Sequence, residues 1–331
     1  MNKMKEEMKM LLRKISPLGL LFVLGTLLVV VMQTLVFFSA SANKNAQSGN
    51  SKNLTANVSD VFENLSLEAH AAYVFDINSK RVLFALNEND KLPLASITKL
   101  MTAFVARDHA SESALIVLSK DDLAAEGDSG LRLGERWRLG DLLNTMLIIS
   151  SNDAAHAISR FIGADEQPVV TDGEQDSART RFVQMMNRKA YDLGLTKMEF
   201  FNESGLDISG GTNGEATMNG GYGSAHDVAL LFSEFWSKYP TTVEITALPA
   251  ARITSQDNIA HVLPNTDEAI GKFPGLIASK TGYTTLAGGN LAIIFDRGIN
   301  DPVVAVVLGS SYKGRFDDMA KLVATVGKIS E

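Results

Sequence analysis

The sequence predicts an α+β fold, an antiparallel sheet built from strands at the two ends of the domain around a helical middle. Three observations carry this reading. Runs rich in β-branched and aromatic residues follow residue 70 and return after residue 275, and helical periodicity dominates between them. A sheet with helices on its face is one of the few layer arrangements that buries both. At 331 residues, 45% hydrophobic and 21% charged, the chain is long enough for one large core. A net charge of −7 gives no electrostatic reason to expect nucleic acid as a partner, and the absence of cysteine excludes thiol chemistry and disulfides.

The elements follow in order. Residues 18–38 are almost wholly apolar and long enough to cross a hydrocarbon core of about 30 Å as one helix. Lys3, Lys5, Lys9, Arg13 and Lys14 precede this run, so the positive-inside rule keeps residues 1–17 cytoplasmic and sends the rest outside. We read residues 18–38 as a transmembrane anchor. "SASA", Ser39 to Ala42, offers a cleavage site for the competing signal-peptide reading, in which the domain is exported and released. Residues 39–67 are polar and read as a spacer, and the folded domain is placed at 68–331.

"AAYVFDI" and "RVLFALN" read as two strands around a turn at 78–80. In "LPLASITKLMTAF" the apolar residues Ile97, Leu100, Met101 and Phe104 define one face of a helix, with Ser96 and Lys99 about 60° apart on its surface. "LGDLLNTMLII" and "DAAHAISRFI" are two helices broken by Ser150, Ser151 and Asn152. Residues 164–180 are polar and read as a loop, followed by the helix "RFVQMMNRKAYDLGL". The glycine-rich residues 209–223 read as another loop and do not form a dinucleotide fingerprint, since no clear strand precedes them. "SAHDVALLFSEFW" is a helix capped by Ser224. The strands "GLIASKTGY", "GNLAIIFD" and "PVVAVVLGS" and a helix over 315–329 complete the chain.

A Ser-x-x-Lys pattern alone means little, because Ser41–Lys44 and Ser310–Lys313 match it too. Order supplies the specificity. Ser96–Lys99 opens a helix, Ser150-Ser151-Asn152 falls at a helix break, and Lys280-Thr281-Gly282 lies on a strand. Ser48-Gly49-Asn50 imitates the second motif but precedes the first and sits in the spacer. A lysine serving as base must be neutral, and burial or a second cation such as Lys280 lowers its pKa from about 10.4. A strand edge at 279–283 suits pairing with an extended peptide.

This ordered trio resembles the signature of penicillin-binding proteins and serine β-lactamases. "DLLNTMLIISSNDAAHAI", "FFNESGLD", "SAHDVALL" and "SKTGYTTLAGGNLA" extend the similarity to the low-molecular-weight D-alanyl-D-alanine carboxypeptidases from about Ala71 onward. The resemblance implies a β-lactamase/D,D-peptidase-like fold. It implies a serine carboxypeptidase, without cofactor or metal, that removes the terminal D-Ala of peptidoglycan stem peptides and is acylated by β-lactam antibiotics. On it, Ser96 is the nucleophile, Lys99 its base, Ser150 a proton relay and Asn152 the ligand of the substrate amide. Lys280 and Thr281, beside Gly282, hold the substrate carboxylate, and the backbone N–H groups of Ser96 and Tyr283 form the oxyanion hole. Arg315 matches an arginine near the family's site.

Two departures accompany the resemblance. Ser151 replaces the usual glycine of the second motif and is expected either to be harmless or to narrow the site. The extra C-terminal β domain and anchor helix of many relatives are not expected after the last helix, and the N-terminal span is expected to replace that anchor.

Rival readings remain. The "GDSG" string at 127–130 resembles chymotrypsin-like proteases, but the helical middle does not suit two β-barrels. No His-x-x-x-His pair supports a metallopeptidase. A β-lactamase of the water-activating type lacks a convincing Glu-x-x-x-Asn after Asn152. A D,D-endopeptidase and a catalytically silent cell-wall-binding module stay open.

Overall fold

The computed structural model describes residues 61–165, 172–209 and 216–329. The segment expected to span a membrane, 18–38, lies outside these residues, as do Ser41–Lys44 and Ser48–Asn50. Among the described residues no helix is long and apolar enough to cross a membrane.

The two ends of the domain build one sheet, as the sequence predicts. Its strands are β1 (Ala71–Asp76), β2 (Arg81–Leu86), β3 (Leu276–Thr284), β4 (Gly288–Asp296) and β5 (Pro302–Ser310), in the order β3-β4-β5-β1-β2. Every pairing is antiparallel, and β1 lies against β5 with Ala71 opposite Leu308 and Asp76 opposite Val303. β1 is buried throughout, and β5 buries every residue but Gly309. That explains their continuous apolar runs, since a strand covered on both faces has no polar side to alternate with. β3 is an edge strand.

Helix α1 (Lys99–His109) runs through the middle of the domain, and all residues from Lys99 to Ala106 are buried. The apolar stripe seen in the sequence is therefore only part of its buried surface; Thr102 is enclosed too, donating to the Glu203 carbonyl at 2.6 Å. α2 (Leu139–Ile148) and α3 (Asn152–Gly163) pack beside it, and α5 (Ala225–Lys238) covers the sheet. The last helix, α6 (Gly314–Val326), also packs against β4 and β5. Ser224 caps α5 as expected, its hydroxyl accepting from Asp227 N at 3.1 Å.

Three expectations change. The helix before Gly194, α4 (Asp172–Asp192), takes in most of the polar residues read as loop. Its N-terminal half buries little beyond Ala178 and Phe182, so no apolar period marks it, while Glu174 and Asp176 complement the positive end of the helix. The glycine-rich stretch contains paired strands, Asp207–Ser209 with Ala216–Asn219, and Gly221–Gly223 between Leu92–Pro93 and Glu199–Phe200. Finally Phe62, in the segment read as spacer, is buried and stacks on Phe84 at 4.9 Å, so the packed unit includes residues 61–67.

Candidate active site

Ser96 and Lys99 do not share one α-helix. Residues Ala95–Thr98 form a 3₁₀ turn that runs directly into α1 at Lys99. Side chains three apart eclipse in such a turn, which brings the pair closer than α-helical spacing does. Lys99 Nζ lies 2.9 Å from Ser96 Oγ. Its two other partners are Asn152 Oδ1 and the Ser204 carbonyl, each at 2.7 Å. Both of these oxygens only accept, whereas a hydroxyl can also donate. A neutral amine has two N–H groups and one lone pair, so it satisfies the set with its lone pair on Ser96.

Burial favours that neutral state. Lys99 is fully enclosed, and burial lowers its pKa from 10.5 to about 7, against the Glu203 carboxylate, which raises it. Burial, rather than the second cation, is the leading cause. Glu203 is itself buried and lies 3.3 Å from His156 Nε2.

The second motif divides its work at the helix break. Ser150 follows α2 with φ +59°, in the left-handed region that stops a helix. Ser151 is the N-cap of α3, its hydroxyl accepting from Ala154 N at 3.0 Å, and Asn152 is the first helical residue. The capping role thus falls on the middle residue, where an ordinary backbone (φ −58°) makes no demand for glycine. Its hydroxyl shares a 2.7 Å hydrogen bond with Ser129 Oγ. The "GDSG" serine is therefore a partner of this cap, and Asn152 Nδ2 donates to the carbonyl of Glu126 in the same loop at 2.7 Å.

The third motif lies on edge strand β3. Lys280 Nζ donates to Ser150 Oγ and to the Thr281 carbonyl, both at 2.9 Å, and Thr281 Oγ1 pairs with Thr266 Oγ1 at 2.6 Å. Lys280 is buried, and burial together with the charges of Lys99 and Arg315 depresses its pKa well below the ordinary range. Gly282 is a steric requirement. A Cβ there would stand 2.8 Å from the Leu94 carbonyl and 3.1 Å from Ser96 N. Arg315, on α6, reaches Gly282 O through Nη1 at 3.0 Å and packs under Tyr312, whose ring meets Tyr283 edge-on at 5.1 Å. Tyr283 is half exposed.

The structure therefore gathers Ser96, Lys99, Ser150, Asn152, Lys280, Thr281, Gly282, Tyr283 and Arg315 around one edge of the sheet. The decoy Ser310 is buried and donates to Asp318 at 2.8 Å, while Lys313 pairs with Glu268 at the surface. Sequence reasoning missed Glu203 and Ser204. They lie in "FFNESGLD", a segment noticed only for its similarity.

The comparisons agree with this geometry. The family model described as D-alanyl-D-alanine carboxypeptidase matches residues 57–312. The carboxypeptidase DacB2 of Mycobacterium tuberculosis is 31% identical over 242 residues, covering 73% of this chain and 75% of that protein. DacF of Bacillus subtilis is 30% identical over 253 residues, 75% of this chain but 59% of its own length. Among solved structures, penicillin-binding protein D2 of Listeria monocytogenes with ampicillin bound is 29% identical. It aligns with a TM-score of 0.63 over 79% of this chain and 98% of its own. The chain belongs to the D-alanyl-D-alanine carboxypeptidase family of serine-type, penicillin-binding peptidases.

Proposed function

We propose that the chain removes the terminal D-Ala from peptidoglycan stem peptides by way of an ester on Ser96. The carrying observation is the hydrogen-bond set of Lys99, two obligate acceptors and the Ser96 hydroxyl around a buried amine. A base with a pKa near the working pH is the efficient one.

The stem peptide lies along edge strand β3, and its penultimate carbonyl carbon meets Ser96 Oγ. Lys99 Nζ takes the hydroxyl proton as the Oγ–C bond forms. The backbone N–H groups of Ser96 and Tyr283, on segments brought together by the missing Cβ of Gly282, receive the developing oxyanion. The C–N bond to the terminal D-Ala then breaks, and the leaving amine takes, relayed through Ser150, the proton that Lys99 received, which leaves Lys99 neutral; Lys280 donates to Ser150. Water next attacks the ester with Lys99 again the base, releasing the shortened peptide and restoring Ser96. Asn152 holds the substrate amide with the N–H not given to Glu126. Lys280, Thr281 and Arg315 favour the substrate carboxylate; Arg315 keeps its charge at any working pH. β-Lactams acylate the same serine, a reading supported by the ampicillin bound to the Listeria relative.

The apolar segment 18–38 with its basic leader supports a membrane anchor and a domain on the extracytoplasmic side. Alkaline washing of membranes followed by N-terminal sequencing tests this, and a mature N-terminus at Asn43 would establish the signal-peptide alternative.

The activity is tested on the full chain with a fluorescent penicillin and a D-Ala-D-Ala peptide. Wild type is labelled and releases D-Ala; Ser96→Ala does neither. Labelling that survives in Ser96→Ala rejects the assignment, and cleavage of cross-linked dimers alone favours the endopeptidase.

A further inference from the structure

Asn219 lies at the end of the glycine-rich stretch, is fully buried, and belongs to none of the three motifs. Its side-chain oxygen accepts from Ala95 N at 3.2 Å and from Gly221 N at 3.1 Å. Its amide nitrogen donates to the Gly205 carbonyl at 3.1 Å, to Thr284 Oγ1 at 3.2 Å and to Asp207 Oδ1. Backbone N–H groups only donate and a carbonyl only accepts, so these partners fix which end of the amide is which.

Three of these five partners, Ala95, Gly205 and Thr284, adjoin a residue of the site. Ala95 immediately precedes Ser96 and has φ +49°, a left-handed conformation that strains a residue with a Cβ. Gly205 follows Ser204, whose carbonyl accepts from Lys99. Thr284 follows Tyr283 on β3, and its hydroxyl accepts from Ala287 N at 3.1 Å, fastening the turn into β4. Asp207 continues the tie through its other oxygen, which accepts from Leu286 N at 3.3 Å. The three backbone segments are in close contact at the same place. A Cβ on Gly205 would stand 1.9 Å from the Ala95 carbonyl oxygen.

We propose that Asn219 is a positioning residue for acylation, its side-chain amide holding the strained Ala95 turn so that Ser96 is presented to Lys99 and to edge strand β3. It touches no reacting atom. Without the Ala95 bond the turn relaxes toward negative φ, and the hydroxyl leaves its place between the lysine and the strand. Misplacement on the scale of an ångström costs on the order of 10- to 100-fold in rate. The inference rests on Ser96 being the acylated residue.

The test is the rate of acylation of the full chain by a fluorescent penicillin, expressed per labelled site so that misfolded molecules do not enter. Asn219→Ala is expected to lower this rate on the order of tenfold or more. Its pH midpoint should stay close to that of wild type, because the burial that lowers the Lys99 pKa and the Glu203 carboxylate that raises it both remain. Adding Ala95→Gly should recover at least part of the lost rate, since glycine reaches the left-handed region without being held. A residue that served only overall stability would show no such recovery per site.

Donor and acceptor can also be exchanged. Asn219→Asp alone sets two carboxylates against each other and should slow acylation, and Asp207→Asn in the same chain should restore part of it, the Gly205 carbonyl still facing an acceptor. Asn219→Ala acylating within twofold of wild type per site overturns the proposal. If that variant yields no labelled protein, the exchange decides, and a double variant that fails to fold or is no faster than Asn219→Asp also overturns it. A wild type that is not labelled at Ser96 overturns the acyl-enzyme reading instead, which separates the two failures.

Discussion

Lys280 and Ser150 meet at 2.9 Å, Nζ to Oγ, although one stands on an edge strand and the other in a left-handed bend between two helices. The contact joins the sheet to the helical middle of the domain. The second lysine of the site is itself buried, and burial works against its charge.

From this, substitutions at Lys280 should be graded. A bound substrate carboxylate favours the charged form of Lys280, so Lys280→Arg, a permanent cation, keeps partial acylation, whereas Lys280→Ala leaves Ser150 without its donor and loses more. Acylation rates of the two variants, with circular dichroism to establish folding, give the comparison. Equal and complete loss in both would mean that the amine of Lys280 transfers a proton rather than supplying charge.

Lys99 should show the opposite pattern. Arginine stays protonated at any working pH, so Lys99→Arg and Lys99→Ala should both lose on the order of 10²- to 10⁴-fold in acylation rate. Near-normal acylation by Lys99→Arg would reduce this lysine to a structural cation.

The pH dependence has a definite sign. Lys99 must be neutral to accept the Ser96 proton, and its pKa is lowered to about 7. Acylation should therefore rise with pH and reach half its maximum near 7. The Glu203 carboxylate raises that pKa, so Glu203→Gln should move the midpoint to lower pH. A midpoint that stays put or moves upward would show that Glu203 does not act on Lys99.

Ser151→Ala removes a helix cap, a loss of about 1 kcal/mol. It also leaves Ser129 without the hydroxyl it meets at 2.7 Å. Thermal unfolding should register that loss, while acylation should remain within a few-fold of wild type because the hydroxyl is engaged by Ala154 N and Ser129 Oγ. A large fall in acylation with unchanged melting would place Ser151 in the chemistry.

Arg160 and Asp122 form a buried pair with two hydrogen bonds, 2.9 Å from Nε and 2.8 Å from Nη2. Arg160→Ala strands a carboxylate that is wholly enclosed. Removing one partner of such a pair costs about 3–5 kcal/mol, or a fall in melting temperature on the order of 10 °C for a domain of this size. A melting temperature within 2 °C of wild type would contradict this.

Much of the site was legible because catalysis needs rare residue types in a set order, and order along the chain is visible without coordinates. The strands were legible because burial on both faces leaves continuous apolar runs. The helix α4 was not, since its exposed N-terminal turns carry no apolar period and are held by little more than Ala178 and Phe182. Glu203 and Ser204 escaped for a different reason. One acts through a backbone carbonyl, which any residue possesses, and the other through charge at a distance. Asn219 lay in a stretch whose glycines masked its short strands, and three of its five partners are backbone atoms, which any residue possesses.

The pairing of β1 with β5 sets a timetable for folding. β1 begins the domain, yet one of its two neighbours is the strand that ends at Ser310, with Ala71 opposite Leu308. Contacts between such distant residues form late, after the loop-closure entropy of the intervening chain has been met. A nascent chain that has not yet delivered residues 302–310 leaves β1 open along one side and β4 without its inner neighbour. Lys280 and Gly282 then have no finished sheet to hold them against the nucleophile turn. Reactivity toward β-lactams therefore switches on with the final strand, and a chain interrupted before it is a protein with every motif and no active serine.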